Sequence, residues 1–280
     1  MSLPQVSAST KLDQLRVLLH EFGSVLICFS GGVDSAFLLA VANDVLGSRA
    51  VGMTALSPSL AASERNDAQS IARALGARHV LVESRELERA GYVQNAPDRC
   101  FHCKTELYEI AARKAAELGL HHILNGTNID DLGDYRPGLD AAKQAGVRSP
   151  LVDIGFTKAD IREASKLIAL EVWDKPAAAC LSSRIPYGAS VTRERLAQVE
   201  GFERALRELG FTQLRVRWHD TIARIELQVD ELQRALSPLF RERIISEGKT
   251  HGFKYVTLDL AGYRVGSHNE VLVGRALKVV

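Results

Sequence analysis

The 280-residue sequence lacks an excess of either charge: 35 Lys and Arg stand against 34 Asp and Glu, a formal net charge of +1. Proteins that hold nucleic acid by its phosphates carry a broad basic face. That footprint is missing, so no nucleic-acid partner is expected, although local basic clusters could still bind one phosphorylated small molecule. No apolar run reaches membrane-spanning length, and residues 1–10 contain no basic segment leading into an apolar stretch. The expectation is a cytoplasmic protein with no membrane partner. Cysteine is scarce, four in all, too few for a disulfide framework in such a compartment, which turns attention to metal binding or catalysis. Neither an internal repeat nor a low-complexity segment interrupts the chain. At 46% hydrophobic, it can bury more core than one typical domain needs.

Up to about residue 175, short apolar runs alternate with helix-length segments. Residues 25–29 are continuously apolar, as a strand buried on both faces of a parallel sheet should be. A helix follows over 36–46, stopped at Gly47, then a strand over 50–56 and an amphipathic helix over 63–75. Further strands are expected at 79–82 and 123–124, with a helix over 104–118 between them. This order predicts an α/β fold, a doubly wound parallel sheet with ligands at the carboxyl ends of its strands. After residue 185 the pattern changes: a helix over 192–209, strands at 213–218 and 223–229, a helix over 232–245 and a last strand at 255–260. That predicts a first domain over 1–185 and a smaller α+β domain over 186–280, which would bind substrate or form oligomer contacts.

The most specific motif is Ser30–Gly31–Gly32–Val33–Asp34–Ser35, between a buried strand and a helix. Two glycines let the backbone turn tightly and approach an anion. The N–H groups of the turn and of the helix start point at that anion, and the helix dipole adds to the attraction. Ser30 and Ser35 supply hydroxyl donors, and Asp34 suits Mg²⁺. The Walker A lysine pattern is absent, so this is not an ordinary P-loop. A bare Gly-Gly turn would signify only a connection; the whole hexapeptide in strand–turn–helix context signifies more.

That hexapeptide resembles the PP-loop signature of enzymes that cleave ATP between its α- and β-phosphates, among them GMP and NAD synthetases, argininosuccinate synthetase and tRNA thiolases. The resemblance implies a Rossmann-like PP-loop domain in which Ser30, Gly31, Gly32, Asp34 and Ser35 hold the pyrophosphate end of ATP, with Thr54 near the nucleotide. Four further stretches are specific in combination: Arg99–Cys100–Phe101–His102–Cys103–Lys104; residues 125–131 leading to Tyr135–Arg136–Pro137–Gly138; residues 173–176 leading to residues 180–188; and Leu214–Arg215–Val216–Arg217 leading to residues 223–226. With the closing stretch 255–262 they resemble the LarE family, ATP-dependent pyridinium-3,5-biscarboxylic acid mononucleotide sulfurtransferases that help build the nickel-pincer nucleotide cofactor of lactate racemase. Gly126 and Asp131, within the second stretch, are then expected at the nucleotide.

The chemistry fits these residue types. A carboxylate is a poor electrophile because hydroxide leaves badly. Adenylation makes it a mixed anhydride that a sulfur nucleophile can displace, and the activating half needs Mg²⁺ and anion donors. The sulfur half needs an available thiolate near positive charge. Cys180 lies in a segment with Lys175 and Arg184, and the matching family cysteine delivers sulfur. Family members that sacrifice this cysteine's sulfur typically carry it alone. Others with three cysteines are thought to hold a 4Fe–4S cluster, for which the resemblance implies Cys100, Cys103 and Cys180, with sulfide or another donor replenishing the sulfur. Competing readings of the CxxC are a redox pair and a zinc site completed by His102. Cys28, inside the apolar strand, reads as core, and His121 and His122 as structural.

Arg215 and Arg217 alternate along a strand, share one face and could fork around a phosphate. The resemblance implies that they and Arg184 bind the pyridinium dicarboxylate mononucleotide; otherwise they are solvated strand arginines. Glu203 and Glu226 match acidic residues linked to a metal site in the family, or are surface carboxylates. A homo-oligomer is implied by the family. The rival readings are a tRNA thiolase with a three-cysteine cluster, which neutral charge disfavours, and a non-catalytic nucleotide-binding module, which the intact sulfur segment disfavours.

Overall fold

The runs that read as buried strands pair into one parallel sheet, because strands without a polar face need cover on both sides. The computed structural model describes residues 6–133, 137–176, 178–264 and 266–272; Tyr135 and Arg136 of the second family stretch lie outside the described residues. Two compact units result, Met1–Tyr92 with Pro97–Ala178, and Val93–Ala96 with Ala179–Val280. Among the described residues no helix is long and apolar enough to cross a membrane.

In the first unit the chain runs α1 (Ala8–Phe22), β1 (Val25–Cys28), α2 (Val33–Leu46), β2 (Ala50–Leu56), α3 (Ala62–Ala74) and β3 (Arg78–Glu83). It continues through α4 (Ala90–Val93), α5 (Arg99–Leu118), β4 (His122–Leu124), α6 (Pro137–Gln144), α7 (Pro150–Ile154) and α8 (Lys158–Leu167). The strand order is β3-β2-β1-β4, all parallel. Alternation along β1 sends Val25 and Ile27 into a core with Leu15 and Leu19 of α1 and Phe37 and Val41 of α2. Leu26 faces the other way, onto Ile110 and Ala111 of α5. The sheet is thus covered on both faces, as the doubly wound reading requires. The chain winds outward from β1 to β3, then returns to add β4 on the other side. The carboxyl ends of β1 and β4 therefore form the switch point where such sheets bind ligands.

The second unit runs α9 (Arg193–Glu208), β5 (Leu214–His219), β6 (Ile222–Leu227), α10 (Leu232–Leu236), α11 (Pro238–Thr250) and β7 (Tyr255–Leu258). β5 and β6 form an antiparallel hairpin whose turn residue Asp220 has φ 58°, and β7 joins β6 in parallel. Buried Asn95 ties the incoming 93–96 segment into this unit by donating from Nδ2 to the carbonyls of Ile185, Pro186 and Ala189 (2.9–3.2 Å).

Two helix expectations are corrected. The helix expected from 104 begins at Arg99, so the CxxC forms its first turn. The single helix expected over 232–245 is two helices, because Pro238 lacks an N–H and holds Ser237 extended at φ −60° and ψ 147°.

Candidate functional site

The hexapeptide joins β1 to α2 at the switch point. Gly31 has φ 76°, a left-handed conformation that glycine adopts without strain, and a Cβ there would lie 3.0 Å from Cα of Ala68 on α3. Gly32 caps α2 with backbone alone, so no side chain occupies the N–H groups of the helix start. Ser35 Oγ accepts from the Ser30 N–H (3.2 Å) and donates to Gly32 O (3.1 Å), with Ser30 Oγ 3.2 Å away. The loop is thereby closed around the space in front of the helix.

Gly126, after β4, completes the other wall. A Cβ there would lie 2.9 Å from the Ser35 N atom, so only glycine lets the 125–131 segment approach α2 this closely. Asn125 Oδ1 accepts from Ser149 Oγ (2.8 Å) and from the Thr127 N–H (3.1 Å). Asp131 Oδ2 accepts from the Asn128 N–H (3.1 Å). Asp131 stands near Asp34, whose pKa is raised above the ordinary carboxylate value by burial and by Asp131, against the opposing pull of Lys158. Lys158 Nζ bonds both oxygens of Asp34, at 2.8 and 2.6 Å.

Thr54, expected near the nucleotide, is buried and its hydroxyl is engaged. It donates to Phe29 O (2.7 Å) and so accepts from His79 Nε2 (2.8 Å), a ring that burial keeps below its ordinary pKa. It ties β2 to the chain entering the hexapeptide and positions the loop.

Cys100 and Cys103 lie three residues apart on the first turn of α5 and so share one face, where helix-terminal N–H groups favour a thiolate. Cys103 Sγ lies 3.1 Å from Oε2 of buried Glu86, whose other oxygen accepts from Ser59 Oγ (2.6 Å) and from Ser57 Oγ. His102 packs on Gly91 and pairs with Asp98 at 3.4 Å. Burial pushes the Cys28 thiol up to about 11, so it stays protonated in the sheet. Soft thiols on one helix face suit iron–sulfur ligation rather than a hard cation. Among the described residues, however, no three His, Cys, Asp or Glu side chains are gathered as a metal centre.

Cys180 belongs to the second unit, and it is exposed. Its carbonyl accepts from the Ser183 N–H (3.0 Å), Ser183 Oγ (2.8 Å) and Arg184 Nη1 (3.0 Å), which fix its backbone. The positive charge expected nearby is committed elsewhere: Lys175, in the first unit, pairs with Glu64 and Asp67 of α3 at 3.2 and 2.8 Å. Arg184 is buried against Glu203, with Nε–Oε1 at 2.8 Å and Nη2–Oε2 at 3.1 Å.

Glu203 and Glu226 are fully buried, not surface carboxylates. Arg217 grips Glu226 through two bonds (2.9 and 2.8 Å) and also donates to Ser267 Oγ and Ser183 O. Arg215 differs: it donates to Leu214 O (2.7 Å) and lies 5.1 Å over the Tyr263 ring. Among the described residues no carboxylate is within ion-pair range of it. Burial, then the neighbouring charge of Arg184, lowers its pKa, with Arg217 adding to this and Tyr263 and Glu203 opposing it. Sequence reasoning missed Lys158 and Glu86, and named Asp130 only as part of the 125–131 stretch.

The Ser-Gly-Gly-Val-Asp-Ser turn at the switch point of a parallel sheet fits a PP-loop ATP-cleaving enzyme, and the asparagine synthase family model matches residues 13–121. The chain is 38% identical over 265 residues to pyridinium-3,5-bisthiocarboxylic acid mononucleotide synthase of Lactiplantibacillus plantarum, covering 94% of this chain and 95% of that protein. It is 44% identical over 263 residues to the uncharacterised protein slr1717 of Synechocystis sp., covering 94% and 98%. An uncharacterised protein of Methanocaldococcus jannaschii, MJ0830, is 28% identical over 240 residues, covering 86% and 90%. The chain belongs to the LarE family of ATP-dependent sulfurtransferases.

Proposed function

We propose that the enzyme adenylates a carboxylate of pyridinium-3,5-biscarboxylic acid mononucleotide and replaces the activated oxygen with sulfur, toward the nickel-pincer nucleotide. The observation that carries this is the 38% identity running through 95% of a relative named for the bisthiocarboxylic product. In the first step a substrate carboxylate oxygen bonds to the α-phosphorus, and the bond to the β-phosphate oxygen breaks with its electron pair leaving on pyrophosphate. The N–H groups at the start of α2, with Ser30 and Ser35, receive the phosphates, and Asp34 with Asp131 offers oxygen ligands to Mg²⁺. In the second step a sulfur nucleophile attacks the acyl carbon and AMP departs with the oxygen.

Cys180 is the catalytic cysteine of the sulfur half in this scheme, as a cluster ligand and not as the sulfur given up, its exposed thiol carried on a backbone pinned by Ser183 and Arg184. Cys100, Cys103 and Cys180 would hold a 4Fe–4S cluster, which when bound supplies transferable sulfide; the shared helix face of the first two supports that role. Arg215, unmatched by a carboxylate, supports a phosphate subsite on β5, while the commitments of Arg184 and Arg217 suit them to aligning it. The enzyme works in the cytoplasm as a homo-oligomer in this reading.

The test is a thiocarboxylate assay with Mg²⁺, ATP and the dicarboxylate mononucleotide after purification without oxygen. A brown protein that turns over repeatedly with added sulfide and keeps the mass of Cys180 is expected. A single turnover that leaves dehydroalanine at position 180, unaffected by Cys100→Ala/Cys103→Ala, would instead establish a sacrificial cysteine.

A further inference from the structure

We propose that Lys158 is a pyrophosphate-binding residue, parked on Asp34 until Mg²⁺ and ATP separate the two. The inference rests on the ATP-cleaving role of the hexapeptide argued above, and it adds a residue from the far end of the first unit's sequence.

Lys158 is the first residue of α8, and its backbone position is unusually well fixed. Thr157 Oγ1 accepts from the Asp160 N–H (3.2 Å) while Asp160 Oδ2 accepts from the Thr157 N–H (2.8 Å), a reciprocal cap. Asp160 is in turn held by Lys11 Nζ at 2.6 Å. The Lys158 N–H itself donates to Asp130 Oδ2 (2.7 Å), which ties α8 to the Gly126 wall. From this anchored point a flexible four-carbon stem delivers the ammonium to both oxygens of Asp34.

The pair is only partly shielded, with side-chain exposures of 32% for Lys158 and 24% for Asp34. A pair this open contributes little to stability, so the elaborate anchoring of Lys158 calls for another purpose. A Mg²⁺ ion ligated by Asp34 would compete with the Lys158 ammonium for the same two oxygens. With that cation bound, Lys158 would be released from Asp34, and ATP phosphates received at the start of α2 would offer it a new anionic partner. As the α–β phosphate bond breaks, negative charge accumulates on the leaving pyrophosphate. The Lys158 ammonium offsets that charge by position alone, and no proton or electron changes hands at this residue. The absent Walker lysine leaves the glycine turn without a cation of its own, and Lys158 supplies one from the other wall.

The experiment compares wild type, Lys158→Ala, Lys158→Gln and Lys158→Arg for binding of ATP, AMP and pyrophosphate, and for substrate-dependent pyrophosphate release. Loss of one charge-assisted contact predicts about tenfold weaker ATP and pyrophosphate binding in Lys158→Ala and Lys158→Gln. AMP binding should stay within about twofold, since AMP lacks the phosphates concerned, and Lys158→Arg should recover part of the loss. Equal loss of ATP and AMP affinity would mean that Lys158 only holds the fold, and would overturn the proposal. So would ATP and pyrophosphate affinities within about twofold of wild type in both neutral variants. A wild type that releases ADP and orthophosphate would remove the ATP-cleaving reading itself and this proposal with it. A wild type that releases pyrophosphate beside unaffected variants removes only the role of Lys158.

Discussion

Two regions of the molecule use the same pairing of acid and base in opposite ways. In the first, Asp34 and Lys158 meet at a partly open surface, and in the proposed cycle each exchanges the other for a cation or a phosphate. In the second, Arg184–Glu203 and Arg217–Glu226 lie below solvent, and every member is bonded further, Glu203 to the Val216 N–H (3.1 Å) and to Arg207 (3.0 Å), Arg217 to Ser267. Burial decides the difference. A pair near water exchanges partners at small cost, whereas a desolvated pair must keep its partner or leave a bare charge in the interior. The contrast is between these pairs and not between whole units, since Lys11–Asp160 of the first unit is also a shielded pair; the proposed phosphate subsite falls to Arg215, which has no carboxylate within ion-pair range among the described residues.

The largest effect should come from breaking the framework. Glu226→Ala strands buried Arg217, and Glu203→Ala strands Arg184; each is expected to destabilise the second unit by roughly 3–5 kcal/mol. Denaturant titration followed by fluorescence of Trp218, which lies in β5, measures this directly. Acid makes the same break. Burial alone would raise the Glu203 pKa, but Arg184, the Val216 N–H and Arg207 hold it below the ordinary carboxylate value. Asp160 is likewise lowered, by Lys11 and Thr157 against its own desolvation. Because these folded-state pKa values are depressed, their stabilisation is complete above the unfolded value of about 4. It is lost as pH falls from there through the folded values. Unfolding free energy should thus decline with pH below about 4, and Glu203→Gln, already destabilised, should show a shallower decline.

Arginine scanning sharpens the contrast within one strand. Arg215→Ala should weaken mononucleotide binding by roughly 1.5–3 kcal/mol with little change in stability. Arg217→Ala should do the reverse, lowering stability first because Glu226 is left uncompensated. Calorimetric binding beside thermal unfolding separates the two outcomes. In the first unit Gly126→Ala should cost about 1–3 kcal/mol of overpacking and weaken ATP binding, because the new methyl presses on the Ser35 N atom. The smallest effect should be that of Lys158→Ala on unfolding, within about 1 kcal/mol for an open pair.

Much of the first unit was legible in the sequence, because strands covered on both faces must be written as unbroken apolar runs such as 25–29. The hexapeptide was legible too, since its glycines and serines have few other uses between a strand and a helix. Less visible was anything that depends on partners distant in the chain. Glu203 and Glu226 look like surface residues by type, and only arginines brought alongside by the fold make them interior ones. Lys158 gave no signal as a site residue, lying 124 positions from Asp34. The start of α5 was hidden because Cys100, His102 and Cys103 read as a motif and not as helical periodicity. The break at Ser237 followed from Pro238 but was masked by the apolar pattern on both sides.

The account stands most directly on what becomes of ATP. Wild-type protein with Mg²⁺, ATP and the dicarboxylate mononucleotide should form one AMP and one pyrophosphate for each thiocarboxylate made, and Asp34→Ala should abolish both. ADP and orthophosphate as the products, or sulfur transfer that consumes no ATP, would contradict it.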